Sequence, residues 1–358
     1  MIAERDIAGV ALPFAIGVTS TIIPQGYPLT CLYTLGILSS AAVIITSIIL
    51  FSGTHSSRIL IGLTSLSCGI IVGVTYQTAW TETLPIVPEW AKELCQDLKI
   101  HIMDMNFKDM QTNGIATALL TGDKSWLSED TTQAFRSSGA AHILALSGFH
   151  LGIIYALIFH LLCILGNRRI IKILRSIMII MICGIYTLIT GGTASITRAF
   201  LFILIGEIAA LNGRYRSTAT VMMTSLMIQL LFAPASIQSI GFQLSYAAMA
   251  GIAYIFPRLN RLWPDGKGGI MKWIWTTASM SIACQMTTGP LVHFYFGTFA
   301  RHFLLTNLLI IPLTSAIIPI SLLTICMDLT GICPTFMLRL TEKLIGLMRD
   351  CLSIIASI

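Results

Sequence analysis

The chain has 358 residues, 55% of them apolar and 11% charged, with a mean hydropathy of +0.82 and a formal net charge of +6. A soluble domain needs roughly 25% charged residues to cover its wetted surface. Two soluble domains of this length are therefore excluded, and the chain reads as an integral membrane protein.

The opening residues, Met1 to Asp6, are mixed in charge, and no small-residue cleavage site follows the first apolar run. That run is expected to be an uncleaved first span. Apolar windows long enough for spanning helices fall at 8–23, 27–51, 59–80, 142–165, 176–197, 217–233, 237–257, 273–297 and 302–327. Pro234 divides the long stretch after Arg216, and a shorter segment, 198–213, must also cross if its neighbours are to connect. The expected fold class is all-α, a polytopic membrane bundle of about ten spans, since only helices and closed barrels satisfy their backbone in lipid. No alternating pattern suggests a barrel.

Positive charge tests this count. With a cytoplasmic N-terminus and ten crossings, Arg5, Arg58, the cluster from Arg168 to Arg175, Arg214, Arg216 and the cluster from Arg258 to Lys272 all fall inside. Outer loops after the third span's polar segment keep only Arg301. The cations are thus orientation signals, and both termini are expected in the cytoplasm.

Four regions follow: three spans in 1–80, an extracytoplasmic segment 81–140, a seven-span region 141–328 and a C-terminal interfacial helix 329–358. Residues 81–136 carry nine acidic and five basic side chains. Within them Trp90, Leu94, Leu98, Ile102 and Met105 recur at helical spacing. This amphipathic helix either lies along the membrane surface or buries its stripe against the bundle.

The nine cysteines form no C-x-x-C pair, and most lie inside apolar runs, where cysteine packs as a small hydrophobe. Neither a disulfide framework, a metal nor another cofactor is expected.

Ionisable and polar groups inside spans are costly and mark candidate sites. His142, Ser147 and His150 open the fourth apolar window. Either the two histidines border one cavity or each is a packed, hydrogen-bonded core residue; without a carboxylate or cysteine they are a thin ligand set for zinc. Arg198 and Glu207 share one helix about 13 Å apart on nearly opposite faces, so Arg198 either lines a polar path or snorkels to the interface. Gln243, Ser245 and Gln285 either line a pathway or tie helices together. SGFHLG is not a nucleophile elbow, and GDKS at 122–125 is read as a turn before a helix.

Four segments in order resemble one family. ATALLTGDKSWLSEDTTQAFRSSGAAHILALSGFHLGII, TGGTASITRAFLFILIGEIAALNGRYRS, PASIQSIGFQLSYAAMAGI and CQMTTGPLVHFYFGTFARHFLLTNLLIIPL are similar to the motifs of ComEC-type competence proteins, over roughly residues 115–320. The resemblance implies an inner-membrane channel for uptake of single-stranded DNA in natural transformation, with His142, Ser147, His150, Arg198, Gln243, Ser245 and Gln285 at motif positions. It also implies a separate DNA receptor, nuclease and cytoplasmic motor, with the pore built by one chain or a homo-oligomer in contact with lipid. Longer family members carry an OB-fold domain and a metallo-β-lactamase-like nuclease domain. The spacing here leaves no room for the former, and no H-x-H-x-D-H motif marks the latter, so the chain is not expected to be an enzyme. The alternative is a small-solute or ion transporter with discontinuous helices, using Glu207, His150 and Arg198 as a relay.

Overall fold

The computed structural model describes residues 2–22, 29–51, 58–79, 87–164, 166, 168–213, 217–264, 268–297 and 302–357. Among them there are helices and turns but no strand. The topology-setting Arg214, Arg216, Lys267 and Arg301 lie outside the described residues. In chain order the helices are α1 (Ile2–Ile22), α2 (Leu29–Phe51), α3 (Arg58–Ala79), α4 (Glu89–Asp104), α5 (Met110–Thr121), α6 (Glu129–Ser137), α7 (Ala141–Leu144) and α8 (Gly148–Cys163). Then come α9 (Arg169–Ile189), α10 (Ala194–Leu211), α11 (Thr218–Phe232), α12 (Ile240–Ala250), α13 (Phe256–Asn260), α14 (Ile270–Phe296), α15 (Phe303–Leu329) and α16 (Thr335–Ala356).

Each of the ten expected windows holds a helix. Among the described residues, five stretches are long and apolar enough to cross a membrane: Ile59–Thr78, Arg169–Ile189, Ala194–Leu211, Ile240–Asn260 and Phe303–Leu329. Asp6–Ile22, Thr34–Thr46, Gly148–Cys163 and Thr218–Phe232 are shorter apolar helices. α14 has the length, 27 residues, but its sequence is diluted by Lys272, Gln285, His293 and a series of Ser and Thr. α8 begins at Gly148, six residues later than the window, because α7 and an extended Ser147 occupy its start.

The chain forms two compact units. One comprises Met1–Ile86 and Leu204–Tyr246. In it α1 and α3 approach at glycine: a Cβ on Gly69 would sit 2.1 Å from the Phe14 carbonyl oxygen, and one on Gly17 would sit 2.2 Å from that of Leu66. Only glycine permits this backbone contact. Interhelical hydrogen bonds lock the register: Ser65 Oγ donates to the Val10 carbonyl at 2.6 Å, and Gln77 Nε2 to that of Thr21 at 2.6 Å. After α11 the chain turns through a 3-10 segment, Pro234–Gln238, where proline ends the helical ladder.

The other unit comprises Val87–Ile203 and Ala247–Ile358. Its core joins α4 to α8 with α15 and α16 through Ile102, Leu119, Phe135, Ile317, Ile345 and Met348, among others. Ten of the twelve residues of α5 are buried. Its threonines permit this by bonding their own helix: Thr117 and Thr121 each donate to the carbonyl four residues back. α4 buries Ala91 and Ile102, and its C-cap Met105 is buried too, while Trp90 and Leu94 stay 48% and 44% exposed. The expected stripe is thus packed into the bundle at its C-terminal end and open at its N-terminal end, because an i+4 spacing precesses about 40° per step around the axis. α12 passes through a π-turn, Gly251–Ile255, into α13; a Cβ on Gly251 would meet the Ala283 carbonyl at 2.4 Å, so glycine lets α14 close against the turn.

Candidate functional site

The polar cluster of the second unit is built at the start of α8. Ser147 is its N-cap in extended conformation, and His150, fully buried, occupies the third helical position. The Ser147 hydroxyl lies 3.1 Å from His150 Nδ1, and the Ser147 backbone N–H points at the same nitrogen from 3.4 Å. This is a capping box with histidine in place of the usual glutamate. A nitrogen that accepts from the backbone carries no proton, so the neutral ring holds its hydrogen on Nε2. His142 lies eight residues earlier, on the separate helix α7, its Nδ1 at 3.1 Å from the Gly139 carbonyl.

Arg198, on the first half of α10, is 7% exposed, and its Nη2 lies 2.9 Å from where a Cβ on Gly148 would stand. Glycine at 148 therefore admits the guanidinium against the first turn of α8. Ser147, His150 and Arg198 are thereby brought together within one unit, where Arg198 is buried. Gln285 is half-buried on α14 in the same unit.

The remaining candidates belong to the other unit. Glu207 is 6% exposed on the second half of α10. Gln243 Nε2 donates to the Ile237 carbonyl at 2.9 Å, fastening α12 to the preceding turn. Ser245 is buried. The Gln243 contact is local to the start of α12.

Several polar residues escaped the sequence reading. Tyr246 Oη donates to Gln229 Oε1 at 3.1 Å and lies 3.3 Å from Ser225 Oγ, a buried node between α11 and α12. Asn307 Nδ2 donates to Ser281 Oγ at 3.2 Å, linking α15 to α14. Asn113, 3% exposed, donates from Nδ2 to the carbonyls of Ile102, Met103 and Met105 at 2.8, 3.1 and 3.1 Å. A polar amide inside an apolar helix was the available signal for Asn113 and Asn307, but neither carries a charge to draw attention. In the turn after α5, Asp123 pairs with Lys99 at 2.8 Å and accepts from Ser125. The Lys99 ammonium, followed by the Ser125 hydroxyl and backbone, pulls the Asp123 carboxyl down to about 2.

Among the described residues no group of three or more His, Cys, Asp or Glu side chains is placed to hold a metal ion. What the α8 site offers chemically is a buried cation beside a capped helix start.

No solved structure matches the chain. It is 28% identical over 238 residues to ComE operon protein 3 of Bacillus subtilis (strain 168), an alignment covering 65% of this chain and 29% of that protein. The chain therefore spans less than a third of the length of that relative. The Competence protein family model matches residues 119–358, which holds the whole of the α8 site and two thirds of the sequence, and the chain belongs to that family.

Proposed function

We propose that this chain is a membrane-embedded path through which single-stranded DNA enters the cytoplasm in natural transformation. The observation that carries the reading is Arg198, a cation buried against the first turn of α8, within a chain of the Competence protein family. A guanidinium offers planar, bidentate donors to a passing phosphate, and mobile single strands favour such loose electrostatic contacts over tight sites. The chain acts as a conduit and not an enzyme; capture, strand conversion and the driving motor belong to partner proteins. It resides in the inner membrane as a multi-pass protein with its N-terminus in the cytoplasm, alone or as a homo-oligomer.

The test is uptake of end-labelled duplex DNA by cells with and without the protein, scoring label that becomes nuclease-resistant inside separately from label bound outside. Deletion is expected to abolish internal label and spare surface binding. Losing one charge-assisted contact costs about 1.5–3 kcal/mol, so Arg198→Ala should lower internalisation roughly ten- to a hundredfold at normal protein level. Arg198→Lys, a point charge without the fork, should restore it in part. Unchanged internalisation on deletion overturns the proposal.

A further inference from the structure

We infer that residues 87–140 and α16 together line a water-filled vestibule running beside α15 through the depth of the membrane. The inference does not depend on what the protein carries.

α15 is the most hydropathic of the five spanning stretches and has 27 residues, about 40 Å of helix for a hydrocarbon layer of about 30 Å. Near its start Thr306 Oγ1 donates to the Ser138 carbonyl at 2.6 Å. Near its end Asp328 Oδ2 lies 3.1 Å from His101 Nε2. These contacts are 22 residues apart on α15, about 33 Å along its axis. Both are made by the charged segment expected to lie wholly on one side of the membrane. A segment touching both ends of a spanning helix runs through its depth.

α16 adds a second, independent observation. It returns antiparallel along α15, with Thr314 Oγ1 at 3.9 Å from Met348 Sδ and Thr324 and Thr341 sharing a 3.0 Å hydrogen bond. It is therefore no surface helix across the end of the bundle, and its last residues come back to the level where α15 begins. Thr314 lies near the middle of α15, so Arg349, one residue beyond Met348, sits at mid-depth. There its Nη1 pairs with Asp109 Oδ2 at 2.6 Å, and the two side chains are 41% and 39% exposed. About two turns away Glu342 Oε1 accepts from the Lys108 backbone at 3.0 Å. An ion pair that open at mid-bilayer would be costly against hydrocarbon; such groups face a bundle interior or a water-filled cavity.

The angular pattern of α16 agrees. At 100° per residue, Thr341, Ile345, Met348, Leu352 and Ile355 form the buried face. Phe336, Leu340, Leu347 and Ile354, all exposed, form one flank suited to lipid. Arg339, Glu342, Gly346, Arg349, Asp350 and Ser353 form the other flank, with Lys343 between the two. A helix that divides its free surface into an apolar and a charged sector along its whole length stands at a boundary between lipid and water.

The test compares two neighbouring positions at one depth. A Cβ on Gly346 meets nothing within 4 Å, and Leu347 is 49% exposed on the apolar flank. Gly346→Cys and Leu347→Cys, each in a cysteine-free chain in liposomes, receive a membrane-impermeant maleimide on both sides of the bilayer. The expected result is labelling of Gly346→Cys within about tenfold of the wet reference Lys172→Cys, and of Leu347→Cys at least about tenfold slower still. If Gly346→Cys is as inert as Leu347→Cys, the vestibule does not exist. If both react as fast as the reference, the α15–α16 pair lies outside the bilayer and the inference falls equally. Should the cysteine-free chain fail to accumulate, the same variants in the otherwise native chain, measured against its own labelling as blank, give the same comparison.

Discussion

Asn113 offers a quantitative test of how α4 is held in the bundle. One buried amide nitrogen meets three carbonyl oxygens at the C-terminal end of α4, at 2.8, 3.1 and 3.1 Å. The Ile102 carbonyl also takes the Met105 N–H at 3.4 Å and the Met105 carbonyl that of Phe107 at 2.8 Å, so the amide reinforces a helix end that the backbone satisfies only in part. The amide has two hydrogens to share among them, so Asn113→Ala removes about two net hydrogen bonds. At about 1 kcal/mol each, with some added cost for carbonyls left dry, the loss is about 2–3 kcal/mol. That corresponds to a 30- to 150-fold rise, roughly, in the population with this end of α4 detached. Amide hydrogen exchange of the native protein in lipid nanodiscs, read by mass spectrometry over residues 100–108, measures that population. Asn113→Asp should be worse than alanine, because a carboxylate has no donor and faces three oxygens of its own sign. Exchange in Asn113→Ala within about twofold of the native chain, or an aspartate better tolerated than alanine, would refute the assignment of Asn113 as the fastener of α4.

Two further outcomes follow from the same kind of reasoning. Because the folded-state pKa of Asp123 is depressed to about 2 by Lys99 and Ser125, its contribution is complete above the ordinary carboxylate value near 3.8 and is lost as pH falls from there toward 2; after allowance for its solvent exposure it amounts to about 1 kcal/mol. Asp123→Asn should remove that part of the acid sensitivity in a thermal-stability series between pH 2 and 5, and an unchanged pH slope would remove the ion pair from the account. In the α1–α3 contact, Gly69→Ala drives a methyl to 2.1 Å from the Phe14 carbonyl oxygen, while Gly62→Ala meets nothing closer than 3.6 Å; the first should lower the unfolding temperature in detergent by several degrees and the second leave it level or slightly raised, so equal effects would refute the close crossing.

The positions of the apolar helices were legible because hydropathy and the punctuation of proline and charge are local properties, and every expected window holds a helix. The depth of each helix was less legible. α5 carries Asn113 and three threonines, reads as part of a polar segment, and is nonetheless buried, since threonine hydroxyls satisfied by their own helix cost little in a core. The same segment's nine acidic residues argue for water, but a count of charges does not set the depth at which a helix packs. Partner choice is a tertiary fact, and nothing in the spacing around His101 or Asp109 announces Asp328 or Arg349.

The candidate site was legible as residues and illegible as a constellation. Ser147 and His150 could be paired from the S-x-x-H spacing of a capping box, had histidine been admitted where glutamate is usual. The place of Arg198 is encoded at Gly148, by what is missing: any side chain there would occupy the space of the guanidinium. Such absences leave no periodic signal.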